Sequence, residues 1–147
     1  PPRSTLFPYT TLFRSEQSRK AGQVKYVLQD LFIKIDKNEK PTATVRLTDN
    51  GDSIEGSGTG DGALDAAFSV IKQLTQMEDA VLVDYHVGAV TVGTDAQGSA
   101  NVVLKKNGHK AIGRGIDTDV IRASVKAFIN AINRFYFMEE KERSEVV

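Results

Sequence analysis

A repeat of 57 residues constrains this chain more than any other feature. Ala43-Thr-Val-Arg-Leu-Thr-Asp-Asn-Gly51 lies without a gap over Ala100-Asn-Val-Val-Leu-Lys-Lys-Asn-Gly108. Gly56-Ser-Gly58 then lies over Gly113-Arg-Gly115, and Ala66 over Ala123. Residues 43 to 68 give eight identities in 26 positions, against roughly one or two expected by chance at average composition. A repeat of this size is one supersecondary unit used twice. The seam between two copies of a module is a natural place for a small ligand.

Hydrophobic patterning fills in the unit. Val24–Ile35 is β-rich and reads as a strand. Thr42–Leu47 alternates, with Ala43, Val45 and Leu47 on one side and Thr42, Thr44 and Arg46 on the other, the period of a half-buried strand. Asn50-Gly51 follows, then Ser53–Gly56. Asn-Gly between two such runs predicts a tight hairpin, whose turn needs positive φ at both central residues. The second copy has a long strand at Val81–Val92, a strand at Asn101–Leu104, the turn Asn107-Gly108, and Ala111–Gly115. Leu64, Ala67, Phe68, Ile71 and Leu74 form a helical stripe from 63 to about 76. Ile121, Val125, Phe128, Ile132 and Phe135 form another from 118 to about 136, with Asp117 or Thr118 as its N-cap. The order is β-β-β-α twice, which predicts an α+β fold of two βββα modules with antiparallel sheets and helices packed on one face. Open sheet edges and faces need covering, so a homodimer is expected.

The ends read differently. Pro1 to Ser15 hold three of the four prolines, repeat Thr-Leu-Phe at 5–7 and 11–13, and have no periodicity. They resemble translated sequencing-adapter sequence and are set apart as a non-native or disordered leader, 1–15. The expected domain is 16–138, with module one at 24–76 and module two at 80–136; the charged run after Met138 is expected to be a solvated or frayed tail, 139–147.

Charge narrows the function classes. There are 19 basic and 19 acidic residues and no basic stripe, which argues against nucleic acid. With no cysteine there is no disulfide framework or Cys-based metal site, in keeping with a cytoplasmic location. His86 and His109 are the only histidines, so a His-rich metal centre is excluded, and neither is expected to be a ligand. No apolar run is long enough to cross a bilayer as a helix.

The most unusual segment is Gly56-Ser-Gly-Thr-Gly-Asp-Gly62, with glycine at every second position, leading into the first helix. Glycine lets backbone N–H groups approach a ligand, and a helix N-terminus adds unpaired donors and partial positive charge. Gly58–Ala63 does match G-x-G-x-x-A, with Asp84 about twenty residues on. A dinucleotide fold needs a buried parallel strand before that loop, however, and the polar turn Thr48–Ser53 stands there instead. No Walker Lys-Ser/Thr follows either. Two readings stay open: glycines for tight packing, above all at Gly113 and Gly115, or an anion cradle. The second copy keeps Gly113 and Gly115 but continues as Ile116-Asp-Thr-Asp119, so the two copies diverge here.

Several ordered motifs carry a family resemblance: Pro41-Thr-Ala-Thr-Val45, Gly60–Phe68, Asp84-Tyr85, Gly93-Thr-Asp-Ala96, Gly113–Ser124 and Ala131-Ile-Asn-Arg134. From about Val24 to Phe135 the chain resembles the C-terminal regulatory domain of 2-isopropylmalate synthase. The resemblance implies two βββα modules, dimerisation and feedback inhibition by L-leucine, the end product of branched-chain leucine biosynthesis, bound between modules. It implies an upstream catalytic barrel that condenses acetyl-CoA with 2-oxoisovalerate on a divalent metal. Nothing here looks like that barrel, so this fragment is expected to have no catalytic residue, metal or cofactor of its own. Carried over by position, the implied leucine site comprises Gly60, Asp61, Gly62, Ala63 and Leu64 on one wall, Leu82, Tyr85 and Ala89 on another, Ala96 in the next turn, and Ile116 closing the pocket. The family often has proline where this chain has Ala63. Asp61, Asp65 or Asp95 could face the ammonium group. Two other readings remain: the isoleucine-sensing regulatory domain of citramalate synthase, which the Gly113–Ser124 motif argues against, and a dimerisation-only module.

Overall fold

The computed structural model describes residues 24–92 and 95–146, with side chains for 24–89 and 97–142. The leader at 1–15 lies outside the described residues. Module one comprises β1 (Tyr26–Lys34), β2 (Thr42–Asp49), β3 (Asp52–Thr59) and α1 (Ala63–Leu74). Module two comprises β4 (Val81–Val92), β5 (Asp95–Lys106), β6 (His109–Asp117) and α2 (Val120–Val146). Each module has one three-stranded antiparallel sheet, ordered β1-β2-β3 and β4-β5-β6. The α+β architecture of two βββα units is therefore as expected.

The Asn-Gly turns do what their chemistry predicts. Asn50 and Gly51 have φ of 52° and 94°, and Asn107 and Gly108 have 53° and 81°. Both turns thus use the left-handed region that these residue types tolerate.

The repeat also extends further than the 57-residue alignment shows. The strands β1 and β4 each break register once, between Leu28 and Asp30 and between Leu82 and Asp84. Both breaks fall in Val-Leu-x-Asp, at Val27–Asp30 and Val81–Asp84, 54 residues apart. The hairpin that follows is three residues longer in module two, which hides this match from a gap-free comparison. A bulge kinks and twists its strand, and here it recurs in the same place in both copies.

Sheet alternation sends Ala43, Val45 and Leu47 of β2, and Ala100, Val102 and Leu104 of β5, into the core. Phe68 of α1 stacks on Phe128 of α2 with ring centroids 4.2 Å apart and planes 13° from parallel. The two modules therefore share one hydrophobic core.

The helices sit on their sheets differently. A methyl group at Gly113 or Gly115 would overlap the carbonyl oxygen of Ala127 or Ala123 on α2. In module one the aligned Gly56 and Gly58 meet only the side chains of Leu74 and Val70, about where a Cβ would be 3.1 Å away. Val70 and Leu74 align with Ala127 and Ala131. Small residues on both partners let the backbone of α2 lie directly on β6, so Gly113 and Gly115 serve close packing.

The ends of both helices also refine the expectations. The helix α1 stops at Leu74, with Gln76 at φ 59° and the Met77 amide bonded back to Lys72 O at 2.9 Å, a left-handed C-terminal stop. The helix α2 runs on through Val146, so the segment expected to be a solvated or frayed tail is helical, with Glu140, Lys141 and Glu142 exposed. The N-cap expected at Asp117 or Thr118 is instead Asp119, whose Oδ1 accepts the Ile121 amide at 2.8 Å. Asp117 is still paired in β6, opposite Gly98, and the helix begins only after it.

Candidate functional site

The helix α1 starts without a cap. Gly62 holds the N-cap position at φ −138° and ψ 174°, with no side-chain cap, and its carbonyl accepts the Ala66 amide at 3.0 Å. The first amides of a helix have no intrahelical acceptor, so those of Ala63, Leu64 and Asp65 stand available. A Cβ on Gly62 would meet nothing nearer than Asp65 Oδ2 at 3.8 Å, so a side chain could stand at the position aligned with Asp119. Gly60 serves a different need. Its amide bonds Pro41 O at 3.2 Å, and a Cβ there would overlap the backbone of Asp65 and Ala66.

Module two fills the same place with its own acids. Asp119 aligns with Gly62 and caps α2. Asp117 aligns with Gly60; its Oδ1 accepts the Asp119 amide at 3.0 Å, and its Oδ2 meets Lys126 Nζ at 2.8 Å and Arg122 Nε at 3.6 Å. The Asp119 amide, then the Lys126 ammonium, hold the Asp117 carboxyl down at about 2. One helix start is closed by internal carboxylates, and the other is open.

A groove of about 150 Å³ lies between α1 and the start of β4, lined by Asp65, Phe68, Ser69, Lys72, Ala80, Leu82 and Phe128. Lys72, in the last turn of α1, donates to Ala80 O at 3.2 Å and fixes one end. Asp65, in the first turn, lies toward the uncapped end. The Phe68–Phe128 stack and Leu82 supply an apolar wall. A larger groove, about 290 Å³, lies between β1 and α2, with Tyr26, Leu28 and Ile129 among its walls. Two of its polar side chains are engaged elsewhere, Lys126 with Asp117 and Asn130 Nδ2 with Arg114 O at 2.6 Å. The smaller groove is the better candidate, because it adjoins the open helix start.

The residues singled out from sequence fall into three groups. Gly62, Ala63 and Leu64 form the open helix start, Leu64 also packing on the core. Asp61 points outward, 84% exposed, and pairs with Lys40 Nζ at 3.2 Å. Leu82 lines the groove. Tyr85 lies opposite the buried Val102, and so on the helix side of its sheet. Its hydroxyl is 2.6 Å from Ser124 Oγ, which itself donates to Val120 O at 2.8 Å. The phenol is therefore the donor, and the ring is held in place. Ala89, four residues on and exposed, shares that side of β4. Ala96 sits in β5 opposite Thr91, but its side chain and that of Asp95 lie outside those described.

Ile116 departs from expectation. Its neighbour Gly115 faces α2, so alternation turns Ile116 to the other side of the sheet, where it is 42% exposed. Within one chain it does not close the groove that Leu82 lines. Conversely, Phe68, Ser69, Lys72 and Phe128 were absent from the sequence-based site. Asp65, Phe68, Ser69 and Lys72 do recur at three- and four-residue steps along one helix face. Nothing in the sequence shows that Phe128 meets them. Among the described residues, no three His, Cys, Asp or Glu side chains group as metal ligands would, and no helix is long and apolar enough to cross a membrane.

The two βββα units agree with comparisons to known proteins. A family profile described as the LeuA allosteric (dimerisation) domain matches residues 9–136, starting inside the stretch that composition sets apart as a leader. The 2-isopropylmalate synthase of Aquifex aeolicus is 48% identical over 103 residues, covering 70% of this chain and 20% of that protein. That of Heliobacterium modesticaldum is 40% identical over 122 residues, covering 83% of this chain and 24% of that protein. That of Syntrophus aciditrophicus is 37% identical over 131 residues, covering 89% and 24%. The chain thus spans about a fifth to a quarter of the length of these relatives. With its two βββα units and its match over most of its length, the chain belongs to the family of LeuA allosteric (dimerisation) domains, the regulatory domain of 2-isopropylmalate synthases.

Proposed function

We propose that this chain is a non-catalytic, leucine-sensing module that mediates feedback inhibition of a 2-isopropylmalate synthase in leucine biosynthesis. L-Leucine binds where α1 begins beside β4, with its carboxylate on the amides of Ala63 and Leu64. Its isobutyl group lies toward Leu82, Tyr85 and Ala89. The module works as a cytoplasmic homodimer, joined to a catalytic barrel that condenses acetyl-CoA with 2-oxoisovalerate.

The observation that carries this reading is the broken symmetry of the repeat. Module two caps its helix with Asp119, whereas module one offers Gly62 and open space at the aligned position. A ligand carboxylate there would do for α1 what Asp119 does for α2. Burying an isobutyl group adds about 1.5–3 kcal/mol. Coupling to a distant active site typically amounts to about 1–3 kcal/mol. The exposed Ile112 and Ile116 on the outer side of module two, and Val27 and Phe32 on that of module one, support a second copy covering these faces.

Titration calorimetry of the 147-residue chain with L-leucine tests the reading. Saturable binding, with a rise in melting temperature, is expected. The absence of both binding heat and a melting shift at millimolar leucine would refute it.

A further inference from the structure

We infer that the start of β1 is the output end of the leucine-sensing domain: ligand in the smaller groove tightens the grip of α2 on Lys25 and Tyr26, where the upstream polypeptide enters. This rests on the leucine reading and adds to it the place where occupancy leaves the domain.

Every polar group of Lys25 is held. Its amide donates to Asn133 Oδ1 at 3.0 Å, and its carbonyl accepts the Asn50 amide at 3.2 Å. Its ammonium lies 2.8 Å from Asp49 Oδ1 and 4.3 Å from the centre of the Tyr136 ring, an ion pair and a cation–π contact on one group. The side chain is only 14% exposed, so water does little to weaken either contact. Asn133 holds both polar groups of Tyr26 as well. This clasp ties the first strand to the β2–β3 turn on one side and to α2 on the other.

The repeat shows that the clasp exceeds what the shared architecture needs. Lys25 and Tyr26 correspond to Asp79 and Ala80, 54 residues on, and Asn133 corresponds to Gln76, 57 residues back. In module one the helix has already stopped at Leu74, and Gln76 stands beyond it at φ 59°. Among the described residues, α1 holds the start of β4 by one side-chain bond, from the flexible Lys72 to Ala80 O at 3.2 Å. The two strands differ in what precedes them. The strand β4 continues from module one, whereas β1 continues from the polypeptide that, on the leucine reading, leads back to the catalytic barrel. The stronger grip stands where the chain enters the domain.

One helix connects the groove to this clasp. Phe128 of α2 forms a groove wall, stacked on Phe68 of α1. Asn133 and Tyr136, five and eight residues further along α2, hold β1. A ligand in the groove binds when α1, β4 and α2 are seated together, and so favours the seated state of α2. Release of Lys25 and Tyr26 removes part of what seats α2. Occupancy and clasp are therefore linked, each stabilising the other.

Amide hydrogen exchange on the 147-residue chain, with and without saturating L-leucine, tests this at Lys25 and Tyr26, with calorimetry alongside to establish binding. Without leucine both amides should exchange faster than that of Val45, buried in β2, because they open locally rather than by global unfolding. Leucine should slow both by about fivefold to 150-fold, the usual range of coupling between sites. Lys25→Met keeps the apolar stem beside Tyr136 and removes the charge. It should speed exchange at Tyr26 while leucine still binds. Lys34→Met, which breaks an exposed pair with Asp36 on the same strand, should leave Tyr26 unchanged. A clasp that is merely structural would give the same rates at Lys25 and Tyr26 with and without bound leucine. That result, or exchange of both amides only at the rate of Val45, or no change at Tyr26 in Lys25→Met, overturns the inference but not the leucine reading. Failure of the unsubstituted chain to bind leucine overturns both.

Discussion

Asn133 of α2 holds the main chain of Tyr26 at both of its polar groups. Its Oδ1 accepts the Tyr26 amide at 2.7 Å and the Lys25 amide at 3.0 Å, and its Nδ2 donates to Tyr26 O at 2.9 Å. The side chain is buried, 3% exposed, and joins residues 107 apart in sequence. The last helix of module two thereby fixes the first strand of module one. Asn133→Ala would leave these buried groups without partners, each costing about 1–3 kcal/mol. We expect a loss of about 2–4 kcal/mol in urea denaturation. Asn133→Asp should also destabilise, since a carboxylate cannot donate to Tyr26 O.

Glycine substitutions should separate the two helix seats. Gly113→Ala drives a methyl group into the backbone of α2 at Ala127, whereas Gly56→Ala meets only side-chain carbons, Leu74 Cδ2 at 3.1 Å and Val70 Cγ1 at 3.4 Å. Overpacking costs about 1–3 kcal/mol, and more where backbone must move. Thermal melting should therefore fall markedly for Gly113→Ala and little for Gly56→Ala.

Asp117 gives a defined acid response. Its carboxyl titrates at about 2 in the fold, against an ordinary 3.8. The depressed value means that its stabilisation is fully present above about pH 4 and is lost as pH falls toward 2. Asp117→Asn should lower the melting temperature at pH 6 and flatten the part of the pH profile between about 4 and 2. An unchanged profile would show that the contacts with Asp119 and Lys126 are not coupled to stability.

Gly62→Asp should give α1 the cap that Asp119 gives α2. Exchanging glycine for aspartate at an N-cap typically adds a few tenths of a kcal/mol, so melting without ligand should hold or rise slightly. The introduced carboxylate would take the place proposed for the ligand's carboxylate. Leucine should then no longer raise the melting temperature.

Much of this was legible in sequence because it depends on local chemistry. The Asn50-Gly51 and Asn107-Gly108 turns, the alternation at Ala43, Val45 and Leu47, and the divergence after Gly58 and Gly115 each follow from residue type and spacing. Features set by contacts between distant residues were not legible. The shared bulge at Leu28 and Leu82 was hidden by the longer second hairpin. The seating of Phe128 beside Asp65 and Leu82 depends on how two helices meet, and periodicity gives only the face of each. Ile116 follows Gly115 in a strand whose pleat turns it away from α2. The cap at Asp119 lies two residues past Asp117, since β6 runs further than its apolar pattern implied.

The most direct test of the central claim is a calorimetric titration of L-leucine into this chain and into Gly62→Asp, side by side. The account predicts saturable binding at about one leucine per chain for the first and none for the second, with both folded. Equal binding by both, or no binding by either, would contradict it.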